Sequence, residues 1–205
     1  MIDKDAPEGL WTPHSVAETR AIYADWAGTY DTDVTGWGYA TPARLAMALR
    51  RAGANPAKPV LDYGCGTGLS GMALKAVGFS QVDGTDISPE MLEKAEARGV
   101  YSHIWLGESG NLGHVKRGDY PIIAAAGVVS LGAAPPETLD MLADILPAGG
   151  FLAFSFNDAT LADRGYTDRL DILCLARDIA VELEEHGPHL PGKNMNSTVY
   201  VLHKT

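Results

Sequence analysis

The chain has 205 residues, 46% of them hydrophobic, and its 16 basic and 26 acidic residues give a net charge of −10. This length and composition suffice for one domain whose core needs neither disulfides nor metals, and no apolar run approaches the roughly 20 residues that cross a bilayer. The acidic balance, without any basic run, argues against nucleic acid as a partner, because a phosphate backbone requires a cationic face.

Two helices are predicted before the first strand. The first covers Ser15 to Tyr30, and the helical spacing of its aromatic residues predicts that Tyr23 and Trp26 belong to a core-facing side. The second covers Pro42 to Gly53, where Thr41 is expected to be the cap, proline lies in the first turn and glycine ends the helix. We therefore expect a helical N-terminal part.

Five apolar runs with strand character follow, separated by helix-length or connecting segments. They are Val60 to Tyr63, Val82 to Thr85, Ile104 to Leu106, Ile122 to Val129 and Phe151 to Phe156. Strands that alternate with helices predict right-handed crossovers and a mostly parallel sheet with helices on both faces.

Two further features complete the predicted order of elements. Pro89 to Gly99 reads as a helix with Ser88 as its cap and glycine as its stop. At the end of the chain, the apolar segments Ala180 to His186 and Ser197 to Lys204 have no helix between them. Two strands joined without a helix are most simply antiparallel, so the sheet is expected to end with an antiparallel pair.

The glycine-rich segment V-L-D-Y-G-C-G-T-G-L-S-G, Val60 to Gly71, predicts a ligand loop after the first strand. A Walker phosphate loop is excluded because Leu69, not lysine, follows Gly68. The dinucleotide pattern G-x-G-x-x-G is satisfied, and an acid follows at Asp86. However, Asp62 would repel a pyrophosphate and attract a cation, and this segment contains no lysine or arginine.

The pattern D-x-G-x-G-x-G resembles motif I of the class I S-adenosylmethionine-dependent methyltransferases, whose ligand carries a sulfonium and an amino group but no phosphate. That resemblance implies S-adenosylmethionine as cofactor and S-adenosylhomocysteine as product. It also implies an α/β, Rossmann-like, seven-stranded and mostly parallel sheet with an antiparallel C-terminal strand. The cofactor contacts that it implies in the loop are Asp62, Gly64, Cys65, Gly66 and Gly68. Cys65 is expected to be a small packing residue of the loop, because methyl transfer from a sulfonium needs no covalent intermediate.

The resemblance extends along the next two strands. It implies that Asp86 accepts hydrogen bonds from both ribose hydroxyls, for which a carboxylate offers two oxygens. Ile87 and Met91 would flank the adenine, and Glu108 of the pair Gly107-Glu108 would accept from the adenine amino group.

A narrower likeness covers the N-terminal half as well. Y-D-T-D-V-T-G-W-G-Y-A-T-P-A-R-L and E-H-G-P-H-L-P-G-K-N-M-N-S-T-V-Y-V-L resemble the methyltransferase-like proteins named after the Williams-Beuren syndrome region. That family has no settled substrate. We expect one domain, 1–205, with a helical lid in 1–55 and a cofactor-binding α/β core in 56–205. Tyr30 and Tyr39, read as part of a loop-like segment, are expected to cover the ligand with their π faces.

Candidates for a catalytic base are few. His186 and His189 are expected in the loop after the penultimate strand, on the ligand side of the sheet, where either could bind substrate or take a proton. No metal is expected, because no further Cys or His cluster accompanies them.

The sequence therefore predicts a methyltransferase that acts on an O, N or S nucleophile, most simply of a small molecule, with a protein side chain as the other acceptor. Two alternatives stay open: a cofactor-binding module without catalysis, and a NAD-dependent oxidoreductase. Cys65 and Cys174 have no C-x-x-C spacing, and residues 1–8 lack the order of a secretory signal, so a cytoplasmic location is expected, with neither membrane nor nucleic acid as partner.

Overall fold

The computed structural model describes residues 6–7, 9–176 and 178–205. Most of the N-terminal segment on which the expectation about a secretory signal rests, 1–5 and 8, lies outside that description. In chain order, the described elements are α1 (Val16–Trp26), α2 (Tyr30–Gly36), α3 (Thr41–Arg51), β1 (Val60–Tyr63), α4 (Leu69–Ala76), β2 (Val82–Asp86), α5 (Pro89–Ala97), β3 (Ile104–Leu106), β4 (Ile122–Ala125), α6 (Thr138–Ile145), β5 (Phe151–Asn157), α7 (Asp158–Leu161), α8 (Arg164–Ala176), β6 (Ile179–Leu190), a 3-10 turn (Pro191–Lys193) and β7 (Met195–Lys204).

The seven strands form one sheet in the order β3-β2-β1-β4-β5-β7-β6. Val60 of β1 pairs with Val82 on one side and with Ile122 on the other, both in parallel register. β7 runs antiparallel to both of its neighbours, β5 and β6. The predicted mostly parallel sheet with an antiparallel C-terminal strand is confirmed.

The central strands β1, β4 and β5 are buried on both faces because they are apolar at most successive positions. Leu61 and Ile123 face a layer formed by α6 and α8, whereas Val60 and Ile122 face α3 and α4. No helix in the described residues combines the length and the apolar character that crossing a membrane requires.

Local sequence signals start two of the helices, and the start of α5 is as predicted. Ser88 caps α5 by accepting from the backbone N–H of Met91, with Pro89 in the first turn. α1 begins with a capping box, in which Ser15 and Glu18 accept from each other's backbone N–H.

The predicted helix from Ser15 to Tyr30 is wrong in extent. α1 ends at Trp26, and Tyr30 begins α2 after a turn that contains Gly28. Glycine lowers helix stability, and the turn lets the Trp26 and Tyr30 rings meet edge to face with centroids 4.7 Å apart. Tyr30 is therefore helical rather than part of a loop.

Thr41 does not cap α3 as predicted. The helix begins at Thr41 itself, and Ala40 occupies the cap position without a side-chain hydrogen bond. The Thr41 hydroxyl instead bonds to His189 Nδ1 at 2.7 Å and to Ser197 Oγ at 2.9 Å. These partners are distant in sequence, and therefore invisible to a local capping rule.

Two strand predictions also need correction. The strand predicted over Ile122 to Val129 ends at Ala125, because the chain turns at Gly127, whose φ is +72°. In contrast, β6 extends beyond the predicted Ala180 to His186, since its pairing with β7 continues to Leu190 opposite Met195. His186 and His189 consequently lie in a strand and not in a loop.

Candidate active site

A cleft of about 890 Å³ opens at the carboxyl ends of β1, β2 and β4, beneath α1 and α2. Ligands of open parallel sheets bind at this edge. Nine of the residues predicted to bind cofactor line the cleft: Tyr30, Tyr39, Gly64, Gly66, Asp86, Ile87, Met91, Gly107 and Glu108.

The glycine loop follows β1 and has backbone conformations that other residues rarely adopt. Gly64 has φ +68°, and a Cβ placed there would lie 2.4 Å from a methyl carbon of Val128. Gly66 also has positive φ, with open space around its Cα. The loop therefore needs glycine at Gly64 for close packing and at both positions for backbone freedom.

Asp86 lies at the end of β2 and joins the loop to the cleft. Its Oδ2 accepts from the backbone N–H of Gly66 at 2.8 Å, and its Oδ1 accepts from that of Ser88 at 2.9 Å. Burial raises the pKa of Asp86, although these backbone donors oppose the shift. Each carboxylate oxygen retains a second lone-pair site, so two vicinal hydroxyls can be bound from the cleft.

Asp62 differs from this arrangement, because it lies behind the loop and does not line the cleft. Its Oδ2 accepts from Ser70 Oγ at 2.7 Å and from the Tyr101 hydroxyl at 2.8 Å, and its Oδ1 has no partner in the described part of the chain. Burial raises the pKa of Asp62 to about 6. The residue thus anchors the start of α4 and supplies negative charge beneath the loop.

Cys65 and Gly68 belong to the loop but also do not line the cleft. The Cys65 thiol is buried, and burial raises its pKa well above the usual value, so it remains protonated. Gly68 is the N-cap of α4 with φ +92°, and a Cβ there would lie 2.9 Å from the Arg98 side chain.

Three tyrosines close the cleft from the N-terminal side. Tyr23, Tyr30 and Tyr39 all line it, so Tyr23 is not simply the core residue that the helical spacing predicted, whereas Trp26 is buried as expected. Burial raises the pKa of Tyr23 to about 12 and those of Tyr30 and Tyr39 as well. The three phenols therefore stay neutral in the wall of the cleft.

The helix that carries Tyr30 is fastened to the glycine loop. Asp31, its second residue, accepts from the Thr67 hydroxyl at 2.6 Å and forms an ion pair with Arg98. Arg98 in turn donates to the Thr67 backbone carbonyl. This Asp31–Thr67–Arg98 clamp holds three separate segments together at the rim of the cleft.

Comparison with known proteins agrees with this geometry. A family model described as a methyltransferase domain matches residues 37–197. The chain belongs to this methyltransferase family. Membership implies S-adenosylmethionine as the methyl donor, and it favours neither the non-catalytic module nor the NAD-dependent oxidoreductase.

Individual relatives support the same assignment. Methyltransferase-like protein 27 of Homo sapiens is 34% identical over 137 residues, which cover 65% of this chain and 56% of that protein. Ubiquinone biosynthesis O-methyltransferase of Shewanella halifaxensis is 28% identical over 118 residues, covering 56% of this chain and 50% of that protein. The chain thus spans about half the length of these two relatives.

Among solved structures, the fold is similar to that of a Thermotoga maritima protein described as a SAM-dependent methyltransferase and possible histamine N-methyltransferase. The TM-score is 0.66 at 18% identity, over 91% of this chain and 100% of that one. This similarity concerns the fold alone.

The groups that line the cleft suit S-adenosylmethionine in their chemistry: Gly64 and Gly66 leave the loop backbone without side chains, Asp86 has acceptor oxygens, and three tyrosines line the wall. The cleft lining also includes Arg20, an exposed residue of α1, which no local pattern in the sequence had indicated. In the described residues, no group of three or more His, Cys, Asp or Glu side chains could hold a metal ion.

A second cavity, of about 530 Å³, adjoins the cleft and was not foreseen from the sequence. The two share four lining residues: Tyr23, Tyr30, Tyr39 and Gly127. His189 lines the second cavity, whereas His186 lines neither and contacts Thr198 Oγ1 at 3.2 Å. Burial, followed by the nearby Arg44, lowers the pKa of His189 to about 4, so its imidazole is neutral at pH 7.

Proposed function

We propose that this chain transfers the methyl group of S-adenosylmethionine to an O, N or S nucleophile of a small molecule. The donor occupies the cleft over the glycine loop, and the acceptor occupies the second cavity. The observation that carries the proposal is the set of four lining residues that the two spaces share, since donor and acceptor must meet for an in-line transfer.

The cover of the second cavity favours a small acceptor. Leu10 and Trp11 line it from the N-terminal side, and Trp26 and Val34 from α1 and α2. A protein side chain would have to enter past these residues, which makes it the less favoured acceptor.

The overall charge disfavours nucleic acid. The net charge is −10, and Arg20 is the one basic side chain in the lining of the cleft, within the residues that the structure describes. A polyanion would gain little attraction from such a surface.

The residues of the chain would contribute mainly by orientation and exclusion of water. S-adenosylmethionine supplies an electrophilic methyl group, so the protein does not have to activate the donor. The glycine loop and Asp86 fix the position of the donor, and the tyrosines separate it from solvent while offering π faces to its positive charge. A neutral His189 lies on the acceptor side.

The proposal is tested in two steps. Calorimetric titration with S-adenosylmethionine, S-adenosylhomocysteine and NAD should give micromolar affinity for the first two alone. Methyl-labelled S-adenosylmethionine is then incubated with the chain and with a cell extract separated into small-molecule and protein fractions. Label in the small-molecule fraction supports the proposal. Label in protein alone would overturn the acceptor class, and no label despite tight cofactor binding would overturn the activity.

A further inference from the structure

The second cavity has an apolar, aromatic side and a polar wall. The hydrogen-bonding groups of the polar wall indicate which acceptor chemistry the cavity suits. Two of its side chains, Asn157 and His189, are each only 7% exposed. Asn157 ends β5 and His189 lies near the end of β6, with Ser197 of β7 between the two strands. We call Asn157 and His189 together the donor wall, for the reason that follows.

The orientation of the Asn157 amide is fixed by its neighbours. The backbone N–H of Leu131 donates to Thr160 Oγ1, so the Thr160 hydroxyl is free to donate its own proton, and Asn157 Oδ1 accepts it at 2.8 Å. Asn157 Oδ1 also accepts from the Thr160 backbone N–H at 2.9 Å. The oxygen is thereby occupied, and the Nδ2 amide, without a partner in the described chain, is left to the cavity.

A second chain of hydrogen bonds fixes His189. Arg44 can only donate, and its Nη1 donates to Ser197 Oγ at 3.1 Å. Ser197 is fully buried, and its hydroxyl proton has one neighbouring acceptor in the described residues, Thr41 Oγ1 at 2.9 Å. The Thr41 proton then goes to His189 Nδ1 at 2.7 Å. In a neutral imidazole whose Nδ1 accepts, the proton resides on Nε2.

The backbone places the His189 side chain in the lining of the cavity. The register of β6 against β7 shifts between Pro188 and Leu190, so His189 is the extra residue of a β-bulge. Bulges redirect side chains and are frequent next to binding sites. Nε2 has no partner in the described part of the chain, and the Tyr39 ring meets the imidazole edge to face at 5.2 Å.

We propose that the donor wall recognises a carbonyl oxygen of an aromatic or otherwise apolar acceptor molecule, through Asn157 Nδ2–H and His189 Nε2–H. This inference rests on the proposed function and specifies the substrate class of the same site. Both residues line the cavity, and each offers an N–H without a hydrogen-bond partner in the described chain, so an acceptor oxygen placed there gains these bonds. In this state His189 binds the acceptor and does not remove its proton.

A neutral carbonyl fits the wall better than a carboxylate. The nearest cation, Arg44, is already engaged by the Pro188 and Glu185 carbonyls and by Ser197, and Asp158 lies close enough to His189 to raise its pKa. Two neutral donors do not offset the cost of burying a full negative charge.

The first test requires no ligand. A long-range ¹H–¹⁵N correlation spectrum of the imidazole groups at pH 7 should show His189 with a proton on Nε2 and an unprotonated Nδ1. Observation of the opposite tautomer, or of a charged imidazole, would overturn the inference about His189 whether or not the chain transfers methyl groups.

The second test uses 4-hydroxyacetophenone and 4-ethylphenol, which differ by the carbonyl oxygen, titrated into the chain saturated with S-adenosylhomocysteine. The carbonyl compound should bind at least about 10-fold more tightly, the equivalent of two net hydrogen bonds. Asn157→Asp keeps the acceptor for Thr160 but loses one donor, and His189→Phe loses the other; each should reduce the preference to about threefold. His103→Phe, at an exposed site, is the matched control and should retain it.

The outcomes separate the two proposals. Equal affinity for both probes, binding of neither, or an undiminished preference in both variants would overturn the donor wall as a carbonyl site. Failure of S-adenosylhomocysteine itself to bind would overturn the proposed function, while the imidazole spectrum would still decide the state of His189.

Discussion

Replacement of Asp86 by alanine should separate a contact with the cofactor from mere support of the loop. Each oxygen of this buried carboxylate already accepts one backbone hydrogen bond, from Gly66 and from Ser88, and has room for one more. The two vacant sites match the 2′ and 3′ hydroxyls of an adenosyl ribose. Alanine removes both the backbone bonds and the two expected ligand bonds.

The expected loss of affinity follows from the number of bonds. A hydrogen bond to a charged group contributes about 1.5–3 kcal/mol, and about 1.4 kcal/mol corresponds to a factor of ten in Kd. Two such bonds predict that Asp86→Ala weakens binding of S-adenosylhomocysteine by at least about 100-fold. The chain without ligand should also be less stable, because two backbone donors lose their acceptor.

A ligand lacking one hydroxyl distinguishes the two effects. Calorimetry with S-adenosylhomocysteine and its 2′-deoxy analogue, on the wild-type chain and on Asp86→Ala, forms a double-mutant cycle between protein and ligand. On the wild-type chain, the deoxy analogue should bind at least about 10-fold more weakly than S-adenosylhomocysteine does. On Asp86→Ala, the two ligands should bind with equal affinity. If the penalty for deoxygenation is the same in both proteins, Asp86 does not bind the ribose, and the assignment is refuted.

Three further predictions concern the loop and the lid. Asp31→Asn keeps an acceptor for the Thr67 hydroxyl but removes the charge that faces Arg98. A partly exposed ion pair contributes about 1 kcal/mol, so its loss should make cofactor release up to about fivefold faster. Stopped-flow fluorescence measures this rate. In urea unfolding, Gly64→Ala should lower the free energy of unfolding by about 2–5 kcal/mol, the sum of the left-handed backbone strain and the overlap with Val128. Gly66→Ala should lower it by the strain alone, about 1–2 kcal/mol. Burial raises the pKa of Asp62 from its usual 3.8 to about 6, so its contribution to stability is present below pH 4 and is lost as the pH rises through 6. Relative to Asp62→Asn, the free energy of unfolding should therefore fall by about 2 kcal/mol between pH 4 and pH 7.

Each of these has a control. Asp168→Asn, which removes an exposed ion pair with Arg164, should leave cofactor release unchanged. Val128→Ala should recover most of the stability that the Gly64→Ala variant loses through the overlap. Equal destabilisation by Gly64→Ala and Gly66→Ala would argue against the overlap. A pH-independent difference between wild type and Asp62→Asn would mean that this carboxyl titrates normally.

The cofactor side could be predicted largely from the sequence because its signals are local. The strand that contains Asp62, the glycines after it and the acid at Asp86 lie within one βαβ unit, where the turn itself requires glycine. The prediction was incomplete for Asp62, since motif position did not reveal that its carboxylate lies behind the loop. The proposed acceptor side had a weaker signal: the sequence indicated His189 as a candidate to bind substrate or take a proton, but placed it in a loop and not in a strand.

What the sequence by itself determined is the fold and the cofactor loop, because hydrophobic periodicity, helix caps and positive-φ glycines act over a few residues. The tertiary structure alone decided the second cavity, the attachment of α2 to Arg98, and the hydrogen-bond partners from which we infer the state of His189. His189 acquires its state from Thr41, about 150 residues earlier in the chain, through Ser197 and Arg44. Such contacts arise only when packing brings distant segments together, and no local pattern encodes them.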